Sequence, residues 1–329
     1  MKLRRRNFLH LAAGAAALPA LPHIARAQTY PTKYITLVVP FAPGGPPDVY
    51  ARLVATALSD LLGQQVIVEN RSGAAGTIGT ASVARAAPDG YTPLLADITF
   101  LVGPNLFANL KYDPLRDFVP IVFLSRANMF LVVNPSFPAK TVSDLVAMAK
   151  QRPGEVQYVN PGLGTPPHLA ALAFTRATAT VMAPISYRGA GPAIADLVAG
   201  HVPIIFLGLS ASAPQVQSGK LRALAVTGRQ RVAEFSDVPT FWESGVDLGG
   251  LKDGAWFGIV APTGTPAAII DKLNGAVNQV LMDSKTRSAF ETKAFATVVG
   301  GTSEEFGTFL RTQQKFWREA LEAAGVRPN

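Results

Sequence analysis

Apolar runs and polar punctuation alternate along the chain from about residue 35. Ile35-Thr36-Leu37-Val38-Val39 is a short apolar run closed by Pro40 and predicts a buried strand. Phe41 to Asp48, which holds Pro43, Gly44, Gly45, Pro46 and Pro47, predicts a loop. Val49, Leu53, Val54, Ala57, Leu58 and Leu61 then recur at helical spacing. Gln65 to Val68 predicts the next strand, Asn70 to Gly76 a second glycine loop, and an Ala-rich helix follows to about Ala86. A turn at Pro88-Asp89-Gly90 leads into a third strand over Tyr91–Leu95. Such alternation argues for an α/β fold with doubly wound, mostly parallel sheets.

The middle of the chain repeats this grammar. Val119–Leu124, Phe130–Val133, Val156–Val159, Val202–Phe206 and Leu221–Val226 predict strands. Thr141 and Asp144 have the spacing of a capping box that opens a helix to about Lys150. Asn160 to His168 forms a third glycine loop before a helix. Near the end, Trp256–Val260 predicts a strand. Thr265 fits an N-cap with Pro266 in the first helical position, for a helix to about Met282. The last helix, Ser303 to about Ala323, turns Phe306, Phe309, Leu310, Phe316, Trp317 and Leu321 to one face, the pattern of core packing.

Composition narrows the function. Of 329 residues, 48% are hydrophobic and 16% charged, a globular mixture that can bury a large core. The net charge of +8 suggests nucleic acid until its location is considered. Lys2, Arg4, Arg5, Arg6 and Arg26 lie in the first 27 residues, which hold no acid; without them the balance is 25 basic to 22 acidic. No later basic block exists, so no phosphate-tracking stripe is expected. There is no cysteine, which excludes disulfides, thiolate catalysis and thiolate metal sites.

Those first residues read as an address. Arg5-Arg6-Asn7-Phe8-Leu9 is a twin-arginine pattern, an Ala/Leu-rich stretch follows, and Ala25-Arg26-Ala27 is a small-residue cleavage site. Residues 1–27 are therefore expected to be a signal peptide, with a mature chain from Gln28 in the periplasm. No later run approaches the roughly 18 apolar residues of a membrane helix.

Little in the sequence supports chemistry. Beyond the signal only His168 and His201 remain, with no H-E-x-x-H metal motif and no Walker loop. Gly208-Leu-Ser210-Ala-Ser212 lacks the last glycine of a nucleophile elbow. No metal and no cofactor is expected. The strand–glycine loop–helix units near 40–48, 70–76 and 160–168 point elsewhere. Glycines let backbone N–H groups turn inward, and a helix N-terminus adds free donors and a positive dipole end. One terminus contributes roughly 0.3–1 kcal/mol to an anion, up to ~2 when partly buried. A micromolar ligand needs about 8 kcal/mol. Several loops closing on one ligand are required, so two lobes around a cleft are the natural arrangement. Because the loops are poor in Lys and Arg, with Arg71 and Arg188 only flanking, a small carboxylate suits them better than a phosphate.

The same residues resemble a known family. Phe41-Ala-Pro-Gly-Gly-x-x-Asp48, Glu69-Asn-Arg-Ser-Gly-Ala-Ala-Gly76, Ala87-Pro-Asp-Gly-Tyr-Thr92 and Tyr112-Asp-Pro-Leu-Arg-Asp-Phe118 are similar to blocks of the Bug-type solute receptors of tripartite tricarboxylate transporters. So are Gly162-x-Gly-Thr-x-x-His168, Tyr187-Arg-Gly-Ala-Gly-Pro-Ala193, Leu224-Ala-Val-Thr227, Pro239-Thr240 and Trp256 to Pro266. The resemblance implies a two-lobed, hinge-linked periplasmic binding protein fold of type II, with no enzymatic activity. It implies a monomer that hands a small carboxylate to integral membrane subunits. Carried over by motif, the ligand contacts would be Ala42, Gly44, Gly45, Asp48, Ser72, Gly73, Ala74 and Thr99 in the first lobe. Gly162, Gly164, Thr165, His168 and Tyr187 would face them from the second.

Two departures stand out. Pro46 and Pro47 replace small or hydroxyl residues and remove two N–H donors. After Phe206, where many relatives carry Asp, stands Leu207, which argues against a ligand ammonium and for an aliphatic dicarboxylate or an aromatic acid. Lobe one is expected over 28–129 and 253–329, and lobe two over 130–252. The rival readings are an extracytoplasmic hydrolase using His168 and a sensory receptor subunit for a membrane kinase.

Overall fold

The computed structural model describes residues 30–187 and 190–328. The expected signal peptide over 1–27 and Arg188 lie outside the described residues.

The strands fall in three groups. A six-stranded sheet runs in the order β11 (Ala296–Val298), β4 (Phe118–Ala127), β10 (Ala255–Pro262), β3 (Leu94–Asp97), β1 (Ile35–Val39), β2 (Val66–Asn70). A three-stranded sheet has β8 (Ile204–Gly208), β5 (Met129–Val133) and β9 (Arg222–Val226) in that order. A parallel pair, β6 (Gln157–Asn160) and β7 (Ala183–Ser186), lies beside β8. The two-lobed α/β architecture is present, with one lobe built on the six-stranded sheet and the other on the smaller ones.

Pairing within the lobes is mixed. β1 runs parallel to β2 and β3, as the strand–helix alternation predicts. β10 is antiparallel to both β3 and β4, and β5 is antiparallel to β8 and β9. The alternating pattern reports each strand's own crossover helix. It is silent on β10, which enters the first sheet only after the chain has returned from the second lobe.

Ten helices among the described residues cover these sheets: α1 (Pro46–Leu62), α2 (Thr77–Ala84), α3 (Ile98–Leu106), α4 (Val142–Gln151), α5 (Pro166–Thr178), α6 (Ala190–Ala199), α7 (Leu209–Gln217), α8 (Ala267–Met282), α9 (Ser284–Ala294) and α10 (Ser303–Ala323). The Thr141–Asp144 capping box is formed as predicted, and Thr302 with Glu305 makes a second one at α10. The Thr265 expectation shifts by one residue. Its hydroxyl donates backwards to the Pro262 carbonyl at 2.8 Å, so Pro266 occupies the cap and the helix begins at Ala267.

Two strands begin later than their apolar runs suggest. β3 starts at Leu94 rather than Tyr91, and β8 at Ile204 rather than Val202. Each start follows a proline, Pro93 or Pro203, which has no N–H for a ladder. α3 is absent from the sequence reading. It is apolar on nearly every face, buried from Ile98 to Gly103, and so carries no amphipathic stripe.

The lobes are joined where β4 passes into β5 through Asn128 and where the chain returns between β9 and β10. The Met129 amide donates to Thr227 Oγ1 at 2.9 Å, and the Thr227 amide donates to the Met129 carbonyl at 2.9 Å. Asp253 pairs with Arg126 at 3.2 Å and Arg229 at 3.8 Å, tying the two crossings together. α10 braces the same region: its Phe306 ring packs over Gly258 of β10, where any Cβ would collide with it.

Candidate functional site

A cavity of about 460 Å³ is lined from both lobes and from the crossing between them. Small-molecule sites span roughly 300–1,000 Å³. The first lobe contributes Ala42 and Gly45 from the loop before α1, Pro46 and Pro47 from its first turn, and Asp97 and Thr99 from the start of α3. The crossing contributes Ala127, Asn128 and Met129. From the second lobe come Thr165, Pro166 and Pro167 at the start of α5, Leu207 and Gly208 of β8, and Leu209, Ser210 and Ala211 in the first turn of α7.

Five of the expected contacts line this space: Ala42, Gly45, Thr99, Thr165 and Leu207. The others stand behind or beside it. Gly44 donates its amide to Asp48 Oδ2 at 3.0 Å, and Asp48 is buried. Gly162 accepts the Thr165 hydroxyl at 2.7 Å and donates to Asn160 Oδ1 at 3.0 Å, which sets the bend of the third loop. Gly164 donates to His168 Nδ1 at 3.2 Å. Tyr187 donates to Asp196 Oδ2 at 2.6 Å and packs against the second-lobe core. Ser72, Gly73 and Ala74 do not line the cavity. Their loop supports the first one, where Gly76 lies against the Phe41 ring.

The helix termini do not all serve as expected. α1 begins Pro46-Pro47 and α5 begins Pro166-Pro167, so each has proline in its first two helical positions. Proline has no N–H, and all four prolines line the cavity: the loss of donors expected at Pro46 and Pro47 recurs at Pro166 and Pro167, where donors were expected. Asp48 is itself the third residue of α1 rather than part of a loop.

The donors come from elsewhere. α7 opens at Gly208 with no proline in its first turn, and Leu209 spends its amide on the Asn128 carbonyl at 3.1 Å. The amides of Ser210 and Ala211 follow in that first turn, where an α-helix leaves its N–H groups without internal partners. Ser210 adds a hydroxyl. The sequence reading met Ser210 only as part of an incomplete nucleophile motif. Asn128, which also lines the cavity, belongs to no motif at all. Its only signal is its position between two apolar strands.

Electrostatics separate support from contact. The hydrogen bond from Arg52 at 2.9 Å, with further bonds from Gly44 and Asn70, holds the Asp48 carboxyl down to about 2. That charge is fixed within the loop. Burial pushes His168 down to about 4, so its ring is neutral at pH 7. With Nδ1 accepting from Gly164, its proton resides on Nε2. His168 does not line the cavity, and a hydrolase reading loses its base. Asp97 moves the other way: burial pushes it up to about 6, against the bonds that Thr99 donates.

Comparison with known proteins places the chain in a family. A sequence model for the tripartite tricarboxylate transporter family receptor matches residues 50–326. The chain belongs to that receptor family. Protein BugT of Bordetella pertussis is 37% identical over 303 residues, covering 92% of each chain. A Rhodopseudomonas palustris protein solved with adipate has 34% identity and a TM-score of 0.81, covering 91% of this chain and 100% of the other. MatC from the same species, with bound malate, has 31% identity and a TM-score of 0.77, covering 89% and 100%. The family resemblance read from the sequence blocks is thereby shown. This receptor is a Bug-type periplasmic solute-binding protein, and its family consists of non-enzymatic receptors. Among its described residues, no helix is long and apolar enough to cross a membrane, and no group of ligating side chains fits a metal ion.

Proposed function

We propose that the receptor captures a small organic acid, an aliphatic dicarboxylate or an aromatic acid, in the cleft and delivers it as a monomer to the integral subunits of a tripartite tricarboxylate transporter. The observation that carries this reading is the apolar cavity of about 460 Å³ whose second-lobe end is the first turn of α7. The N-terminal dipole, the Ser210 and Ala211 amides and the Ser210 hydroxyl suit a carboxylate there. Thr99, Asn128 and Thr165 supply the remaining side-chain polar contacts, and Ala42, Gly45 and Leu207 shape the walls. Leu207 and the proline rings favour a hydrocarbon body over an ammonium group. The adipate and malate bound by two relatives point to the same ligand class.

Lobe one comprises 28–129 and 253–329, lobe two 130–252, and closure about Asn128 and the Asp253 pairs traps the ligand. The twin-arginine segment exports the chain to the periplasm. A thermal-shift panel of adipate, malate, benzoate, aspartate and glutamate tests the reading. At a hundredfold excess over Kd a true ligand stabilises by about 2.7 kcal/mol. A rise with one or more of the first three acids is the expected result. Stabilisation by the two amino acids alone overturns the reading.

A further inference from the structure

Asp97 places a carboxyl group inside a cavity built for an anion. It ends β3 opposite Phe257 of β10, caps α3, is 5% exposed, and lines the cavity beside Thr99. Its Oδ1 accepts both the Thr99 amide at 2.9 Å and the Thr99 hydroxyl at 2.5 Å. The Phe100 amide also lies within reach of this carboxyl, and no side chain donates to Oδ2 among the described residues.

No Lys, Arg or His among the described residues lines this cavity. The titratable groups that face Asp97 from neighbouring elements are phenols. Tyr50 comes from α1, and Tyr112 from the segment after α3. Burial pushes both above their ordinary range, so both are neutral and neither offsets a negative charge. β10 offers only Ala255 and Phe257 to the cavity. Two ionised carboxylates sharing such a space repel, and the usual resolution is that one takes a proton.

We propose that a ligand carboxylate enters the cleft together with one proton from solvent, and that this proton settles on Oδ2 of Asp97. The neutral carboxyl then donates a hydrogen bond to the ligand carboxylate. No bond in the ligand changes. The complex holds one proton more than the free receptor and free ligand anion together. Because Thr99 fills Oδ1 in either state, protonation at Oδ2 requires no rearrangement of the cap. Burial already raises the affinity of Asp97 for a proton, and an adjacent anion raises it further. This inference rests on the carboxylate-receptor reading and adds that capture is coupled to proton uptake.

Isothermal titration of the purified chain with adipate and with benzoate, at pH 7 in buffers of different ionisation enthalpy, reads the coupling directly. The expected result is uptake of close to one proton per ligand, with affinity falling about tenfold per pH unit above pH 7. Asp97→Asn, a good N-cap that keeps the acceptor at Oδ1 and a donor near Oδ2, is expected to bind without proton uptake and with a flat pH profile. Binding by wild type without proton uptake overturns the proposal alone. So does a loss of more than tenfold in Asp97→Asn, which would make the ionised carboxylate an acceptor for a ligand donor. Failure of both acids to bind overturns the receptor reading, and this proposal with it.

Discussion

Asp48 accepts the Gly44 amide at 3.0 Å, so one donor of the first glycine loop is already used inside the loop. The same carboxylate takes Arg52 at 2.9 Å and Asn70 at 2.9 Å, which ties the loop to α1 and to the end of β2. A residue that the motif marks as a ligand contact is an anchor of the loop that borders the cavity. Asp48→Asn is therefore expected to lower stability at pH 7 by about 1–2 kcal/mol, discounted for the half-exposed Arg52 partner. The folded carboxyl lies at about 2, below its unfolded value of 3.8. Its contribution is thus complete above pH 3.8 and is lost as pH falls through 2. Urea denaturation at pH 7 and in acid checks this, and equal stability of variant and wild type at pH 7 would contradict it.

His168 gives a second acid limb of a different kind. Burial lowers its folded value to about 4 from 6.5, so the unfolded chain binds the proton more readily between these values. Stability is then complete above pH 6.5 and falls by about 2–3 kcal/mol as pH drops towards 4. His168→Asn offers an oxygen near the Nδ1 position for the Gly164 amide and removes the titration. The difference between the two proteins in urea midpoints from pH 7.5 to 4.5 should grow steadily on the acid side. Parallel profiles would show that the imidazole is protonated without cost.

Gly164 belongs to the second-lobe loop, yet a Cβ there would collide with Leu106 and lie 3.4 Å from Val102, both on first-lobe α3. Its φ of +75° adds strain for any side chain. Gly164→Ala is expected to cost about 1–3 kcal/mol and to widen the cleft. Equilibrium unfolding together with the radius of gyration from solution scattering tests both effects. An unchanged radius with a stability change under 0.5 kcal/mol would remove Gly164 from the lobe contact.

Much of this arrangement is legible in the sequence. The apolar runs at Ile35–Val39 and Phe130–Val133 are strands because both faces are covered. The Thr141–Asp144 spacing makes its box because both partners are local. Glycine loops one and three do border the cavity. What sequence spacing cannot convey is direction. Ser72 to Ala74 share the glycine grammar of the other loops but sit behind the wall, because Gly76 packs under Phe41. Pro46 and Pro167 look like punctuation and are instead the apolar lining. Ser210 and Asn128 reach the cavity through β8 and the lobe crossing, both set by long-range pairing of β5 with β8 and β9. No local pattern encodes such placement.

The account stands on one acid held between the lobes. Calorimetric titration of adipate and benzoate into wild type, Ala42→Trp and Ala211→Trp tests it most directly. These substitutions fill the cavity from the first and the second lobe in turn. The account predicts one ligand per chain in wild type, recovered chemically intact, and at least tenfold weaker binding in each variant with an unchanged melting temperature. Undiminished binding in both filled variants, or a stoichiometry other than one, would contradict it.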